Sequence, residues 1–252
     1  MAEYRQNQPL STVAVYSSSD HHRWDERNIV TDTIAVFDVD GTITDSAPLI
    51  TRCVSRTLAE LGLPPQTSAQ LQRWVGPPLF VSFRDFAGLA EDDIPEAIAV
   101  YRTHYTARMY DVPVFNGIRE ALTTLSQERI ILAVATSKIE RLIGPILNRL
   151  ELAAFFTEIA GSREDEPLQT KASVIADVLA RLRQRGLSTH NAIMIGDRHH
   201  DIDGGRANNL TTVGVTWAGT ALEEFADAHS IAHTPDQLID IILNYQADTT
   251  TK

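Results

Sequence analysis

The sequence predicts an α/β fold: a mainly parallel sheet covered by helices on both faces, interrupted by an inserted helical bundle. Three observations carry this. Strand-like and helix-like segments alternate after about residue 113. A lone apolar strand precedes them at "TIAVFD" (33–38). Between the two, residues 47–112 hold helical patterns and turn signals but no convincing strand.

The elements follow in order. "TIAVFD" is apolar and rich in β-formers, without a helical period, and reads as a buried strand. "APLITRCVSRTLAELG" (47–62) is an amphipathic helix closed by Gly62 and Pro64. Helical patterns continue to about Met109, and "DVPVFNG" (111–117) is a return linker. Then come helix 117–128, strand 130–137, helix 139–150 with Pro145 predicting a kink or break near its start, strand 155–162 and helix 171–186. Strand 191–197, a short helix at 202–209 and strand 211–217 complete the pattern. The expected division is a polar N-terminal extension (1–31), a core (32–46 and 113–252) and a helical cap (47–112).

Composition narrows the function classes. A chain of 252 residues with 43% hydrophobic and 22% charged residues is an ordinary globular one. A net charge of -11 argues against nucleic acid or an anionic membrane as main partner. No run is long and apolar enough to span a bilayer, and the N-terminus lacks a signal-peptide pattern. The single cysteine, Cys53, permits no internal disulfide and points to a reducing cytoplasm. Its neighbours Ile50, Val54 and Leu58 on one helical face read it as a buried thiol rather than a nucleophile. Arginine supplies 19 of the 22 cationic side chains; the lysines are Lys138, Lys171 and Lys252. An ammonium is a compact point charge that a planar guanidinium replaces poorly, so the two internal lysines stand out.

Three apolar runs end in polar chemistry: "DVDGT" (38–42), "ATSK" (135–138) and "MIGDRHHD" (194–201). Ligands of open parallel sheets bind beyond the carboxyl ends of the strands, so Asp38, Thr136 and Asp197 are expected to converge. Asp38 and Asp40 cannot both ionise comfortably without a cation. Mg²⁺ takes about six oxygen ligands, often including waters and a substrate phosphate, and suits a cage of Asp38, a group at Asp40, and Asp197. Gly41 permits a tight turn and offers amide donors to an anion.

Taken in order, Asp38-Val39-Asp40-Gly41-Thr42, Thr136-Ser137-Lys138, Lys171, and Gly196-Asp197 with Asp201 resemble the four motifs of the haloacid dehalogenase superfamily of phosphohydrolases. The resemblance covers roughly residues 33–245 and implies a Rossmann-like core with the helical cap of subfamily I. "WVGPPL" (74–79) and "NGIREAL" (116–122) resemble its phosphoglycolate phosphatase and 5′-nucleotidase-like branch.

The resemblance implies a Mg²⁺-dependent phosphatase acting on a small phosphorylated metabolite, as a monomer or homodimer. Asp38 would attack phosphorus and become an aspartyl-phosphate, and Asp40 would protonate the leaving alkoxide and then activate water. Metal ligands would be Asp38, the Asp40 backbone carbonyl and Asp197, with Asp201 behind them. Gly41, Thr42, Thr136, Ser137 and Lys171 would hold the phosphoryl group, Lys171 also orienting Asp38. Lys138 is open between a surface position and an approach to phosphate. His199 and His200 read as solvated or supporting residues, because the neighbouring aspartates already explain the motif. Asp45-Ser46 and Asn116-Gly117 are the expected cap hinges.

Alternatives within the resemblance are a 5′-nucleotidase and a β-phosphoglucomutase-like sugar phosphomutase, which share every motif. A phospho-accepting regulator would need neither Asp40 nor a cap. The substrate cannot be read, since caps vary. Among the six arginines of the insert, Arg73, just before "WVGPPL", is the expected substrate contact.

Overall fold

The computed structural model describes residues 33–250 apart from residue 167, with side chains as far as 246. The expected N-terminal extension (1–31) lies outside the described residues. Among those described, six strands form one parallel sheet in the order β3-β2-β1-β4-β5-β6. They are β1 (Ile34–Phe37), β2 (Ile131–Ile139), β3 (Phe156–Ser162), β4 (Ala192–Gly196), β5 (Thr211–Val215) and β6 (Ser230–Ala232). The α/β fold with a parallel sheet is therefore as the alternation predicts.

The two-residue side-chain period of β1 divides the core. Ala35 and Phe37 face a layer built from α5 (Ile118–Gln127), α6 (Glu140–Arg149) and α9 (Pro235–Thr250), through Leu122, Ile143 and Leu238. Ile34 and Val36 face α7 (Lys171–Gln184), through Val174 and Val178. With both faces covered, the strands are apolar runs rather than alternating ones.

Ahead of α5, α1 (Ala47–Glu60), α2 (Ser68–Gln72), α3 (Leu79–Ala87) and α4 (Ile94–Thr106) share a second apolar cluster. It is centred on Trp74, whose ring meets Phe83 edge-on at 4.9 Å and whose indole N–H donates to Gln66 Oε1 at 2.8 Å. The cluster extends to Leu142 and Ile146 of α6, so helical region and sheet layer meet along that helix. The chain leaves and re-enters the sheet layer side by side: Asp45 N donates to Pro113 O at 2.9 Å, and Phe115 N to Ile43 O at 3.1 Å. Cys53 is buried in the helical cluster.

The structure departs from the expected elements in four places. Pro145 lies inside α6, which runs on without a break. A proline removes one amide donor, while Leu142, Ile143, Ile146 and Leu147 bury one continuous face across it. β2 continues to Ile139, beyond the expected end at Ser137. α8 (His199–Ala207) begins three residues earlier than the apolar pattern indicates, because its first turn is polar and held by Asp201 accepting from Arg198 N at 3.1 Å. β6 and α9 were not expected at all; β6 is a three-residue edge strand, too short to give a period. No helix among the described residues is long and apolar enough to cross a membrane.

Candidate active site

The strand order reverses beside β1: the chain proceeds outward through β2 and β3, then returns to β4 on the other side of β1. Loops leaving the two sides diverge and open a crevice at the carboxyl ends. Register sets what meets there. Phe37 lies opposite Val134 of β2 and Ile195 of β4, which brings Asp38 level with the ends carrying Thr136 and Asp197. All three side chains are buried.

After Asp38 the backbone closes a tight turn, with Ile43 N and Thr44 N both donating to Val39 O at 2.9 Å. Gly41 sits at φ +89°, where an L side chain is strained. A Cβ there would collide with the Asp197 carboxylate, so this glycine lets that carboxylate lie against the turn. Thr42 and Thr220 hydroxyls donate to the two Asp197 oxygens at 3.3 and 3.4 Å.

Lys171 is the first residue of α7, whose N-cap Thr170 accepts from Ser173 N at 3.2 Å. Its ammonium reaches Asp38 Oδ1 at 2.6 Å, Asp201 Oδ1 at 2.8 Å and Ala135 O at 3.1 Å. Burial opposes its charge, but Asp201 and Asp38 overcome that and hold the lysine above its ordinary value. Asp38 is pushed up to about 6, by burial first; Lys171 pulls it down, and Asp201 and Asp40 push it up. Burial, then Asp201 and Asp38, raise Asp197 well above the usual carboxylate range.

Asp38, Asp197 and Asp201 offer ligand oxygens that all lie within 4.8 Å of one another. One lysine cannot neutralise three buried carboxylates, and uncompensated buried charge is expensive. These residues fit a cation: hard oxygen donors, in excess of the protein's own positive charge, at one end of a crevice.

Asp40 is placed differently. Its carboxylate pairs with Lys138, Nζ to Oδ2 at 2.7 Å, and its other oxygen is buried without a protein partner. Lys138 also donates to the Tyr105 hydroxyl of α4 at 2.7 Å. Lys138 is thus half-buried between Asp40 and Tyr105 rather than at the open surface, one of the two positions left open for it. Thr136 Oγ1 accepts from Lys138 N at 3.3 Å. Asp40, Ser137 and Lys138 border a cavity of about 300 Å³ that extends between the strand ends and the helical region.

The structure sets two expected site residues in context. Asp38, Asp197 and Asp201 group their carboxylates, Asp201 being held by Lys171 beside the two expected metal ligands, and the Asp40 carboxylate is turned toward Lys138. Arg73 is exposed, lays its guanidinium over Phe86 at 4.4 Å from the ring centroid, and does not line the cavity. Arg102 of α4 does, paired with Glu164 at 2.7 Å. His199 turns to Glu224 at 2.6 Å, away from a ligand role.

Similarity to known proteins agrees with this geometry. The family model described as haloacid dehalogenase-like hydrolase matches residues 35–215. The tyrosine-protein kinase PtkA of Mycobacterium tuberculosis is 37% identical over 198 residues, 78% of this chain; the match spans only 66% of PtkA. The solved structure of PtkA superposes with a TM-score of 0.72 at 34% identity, over 84% of this chain and 98% of that one. A 5′-nucleotidase of Pseudomonas aeruginosa is 35% identical over 79% of this chain and 88% of its own length. A phosphoglycolate phosphatase of Agrobacterium fabrum is 31% identical over 82% and 88%. The chain belongs to the haloacid dehalogenase-like hydrolase family.

Proposed function

We propose that the chain is a Mg²⁺-dependent phosphatase that hydrolyses a small phosphate monoester through an aspartyl-phosphate on Asp38. The observation that carries this reading is the 2.6 Å contact between Lys171 and Asp38 beside two further buried carboxylates. Lys171 keeps Asp38 oriented and counters charge on the phosphoryl oxygens. Asp38 and Asp197, with Asp201 beside them and the Asp40 backbone carbonyl, would hold Mg²⁺, which when bound neutralises charge on the phosphoryl group.

Asp38 Oδ attacks phosphorus, and the bond to the leaving oxygen breaks. Asp40 gives that oxygen a proton. Asp40 then takes a proton from water, the water oxygen attacks the aspartyl-phosphate, and Asp38 and inorganic phosphate are released. Thr42, Thr136, Ser137 and the Gly41 amide hold the group in transit. Residues 47–112 act as a cap over the crevice, and the lone buried Cys53 fits a reducing cytoplasm.

The reaction is of the kind named for the phosphoglycolate phosphatase and 5′-nucleotidase relatives. A sugar phosphomutase would use the same residues with a sugar hydroxyl as acceptor. The PtkA relatives favour a second reading, in which a tyrosine hydroxyl replaces water as acceptor. Purified protein should release phosphate from a generic aryl phosphate with Mg²⁺, EDTA should abolish release, and Asp38→Asn should leave no turnover. Activity undiminished in EDTA, or a covalent phosphate trapped on another residue, would overturn the mechanism. Label appearing on tyrosine from ATP, without phosphate release from esters, would select the second reading.

A further inference from the structure

We infer that the leaving group is an uncharged alcohol carrying a flat ring, bound in the cavity above Asp40; this rests on the phosphatase reading and names its substrate class. α4 presents one helical face to the cavity, Pro95, Ile98, Tyr101 and Tyr105, at the spacing of successive turns. The Tyr101 and Tyr105 rings lie nearly parallel, 5.7 Å apart with 15° between planes. Another stretch of wall is Pro77, Pro78, Leu79 and Phe80. Such a wall gives broad apolar and aromatic surface to a ring, and only the Tyr101 and Tyr105 hydroxyls of it could donate to a carboxylate.

The charges of the lining point the same way. Its cations are Lys138, Arg102 and Arg163. Lys138 is paired with Asp40 at 2.7 Å, Arg102 with Glu164 at 2.7 Å, and Arg163 with Asp165 at 3.0 Å and Glu166 at 3.3 Å. Among the described residues of the lining, every cation already faces a carboxylate. An anionic leaving group would have to share a cation with a carboxylate already beside it. Size agrees: a cavity of about 300 Å³ has room for a ring, whereas a two-carbon acid would leave much of the apolar wall wet.

Besides the free Asp40 oxygen, which belongs to the proposed proton carrier, a second buried polar atom of the lining is unmatched. Ser162 Oγ, at the end of β3, is 8% exposed, lines the cavity and has no protein partner. It suits a ring whose edge carries a hydrogen-bonding atom, as a nucleobase does, over a plain hydrocarbon ring.

The test compares three primary alkyl phosphates of similar intrinsic reactivity: benzyl phosphate, a nucleoside 5′-monophosphate and phosphoglycolate. Acetyl phosphate, whose leaving group has no ring, is the control for the chemistry itself. With Mg²⁺, kcat/KM for at least one ring-bearing ester should exceed that for phosphoglycolate by tenfold or more, about the discrimination an apolar pocket provides. The nucleotide ahead of benzyl phosphate, with Ser162→Ala erasing the difference, assigns a heterocyclic ring; the two equal assigns an apolar one. Phe80→Ala should lower the ratio of ring ester to phosphoglycolate, and Ile98→Arg, which adds an unpaired cation, should shift it toward phosphoglycolate; two separated sites guard against one variant misfolding. Phosphoglycolate turned over as well as both ring esters, or acetyl phosphate hydrolysed while both ring esters are refused, overturns the inference and leaves the phosphatase reading standing. Failure with all four substrates overturns both.

Discussion

Lys171 and Lys138 each close on one of the two aspartates of "DVDGT", yet the pairs are built differently. Every partner of Lys171 belongs to the sheet layer: Asp38 follows β1, Asp201 lies on α8 and Ala135 on β2. Lys138 divides its ammonium between Asp40 and the Tyr105 hydroxyl, which belongs to α4. One lysine is held within the sheet layer, while the other spans two regions. The difference suits their partners' proposed tasks. The attacking group needs a fixed position and constant charge compensation. The proton carrier has to change its protonation during each cycle, and a tie to α4 makes its surroundings depend on how the helical region sits.

The largest expected effect lies on the Lys171 side. Lys171→Ala removes the cation facing Asp38 and Asp201 and should lower kcat by about 10²–10³, the usual loss for a group that stabilises transition-state charge. Lys171→Arg should lose most of that activity too, because a wide fork does not fit where one ammonium meets two carboxylates and a carbonyl. Near-normal kcat/KM for the arginine variant would remove the fit argument; near-normal values for the alanine variant would remove the catalytic role.

Next comes the Lys138 side. Lys138→Met leaves Asp40 buried without its cation and should slow hydrolysis of alkyl phosphates by about a hundredfold, the low end of what positioned proton transfer contributes. Tyr105→Phe is a smaller cut: the ring stays and one hydrogen bond to Lys138 goes. A single such bond is worth on the order of 1 kcal/mol, so a loss of about fivefold in kcat is expected, with KM for acetyl phosphate little changed. An unchanged kcat would mean that α4 has no hold on Asp40.

The smallest effect is on acid stability, near another polar tie of the helical region to the sheet layer, where Arg198 donates to Val75 O at 2.6 Å. Glu224 holds that arginine and His199. Burial opposes its ionisation, but hydrogen bonds from His199 and the Arg198 charge hold it down to about 2. Because the folded value is depressed, its stabilising contribution is present above the ordinary carboxylate value and is lost as pH falls from about 4.5 to about 2. Tm should therefore drop more steeply over that window in wild type than in Glu224→Gln, the two curves converging at the acid end.

What could be foreseen follows from range. Asp38, Asp40 and Gly41 lie within four residues, and the turn they form is a local property. Lys171 stood out through composition, a global property visible without any structure. Lys138 carried the same compositional mark, but its partners lie 98 and 33 positions away, and only packing of α4 against the end of β2 brings them together. Asp201 is near Asp197 in sequence, but its close approach to Gly196, where a Cβ would collide with its carboxylate, is a tertiary contact that no spacing shows. Nearness to "WVGPPL" in sequence singles out Arg73, whereas Arg102 is the arginine of the helical region that lines the cavity. The structure turns Arg73 onto Phe86 because a planar cation gains more from an aromatic face than from free solvent.

The division of labour between the two lysines is tested most directly by kcat/KM across a series of phosphate esters whose leaving groups differ in basicity, for wild type, Lys138→Met and Lys171→Met. This parameter reports formation of the aspartyl-phosphate, where only the leaving oxygen needs a proton. The loss in Lys138→Met should grow from almost none for acetyl phosphate to about a hundredfold for an alkyl ester, while the loss in Lys171→Met stays the same throughout. A uniform loss in Lys138→Met, or a graded one in Lys171→Met, would contradict the assignment of Asp40 to proton transfer and Asp38 to attack.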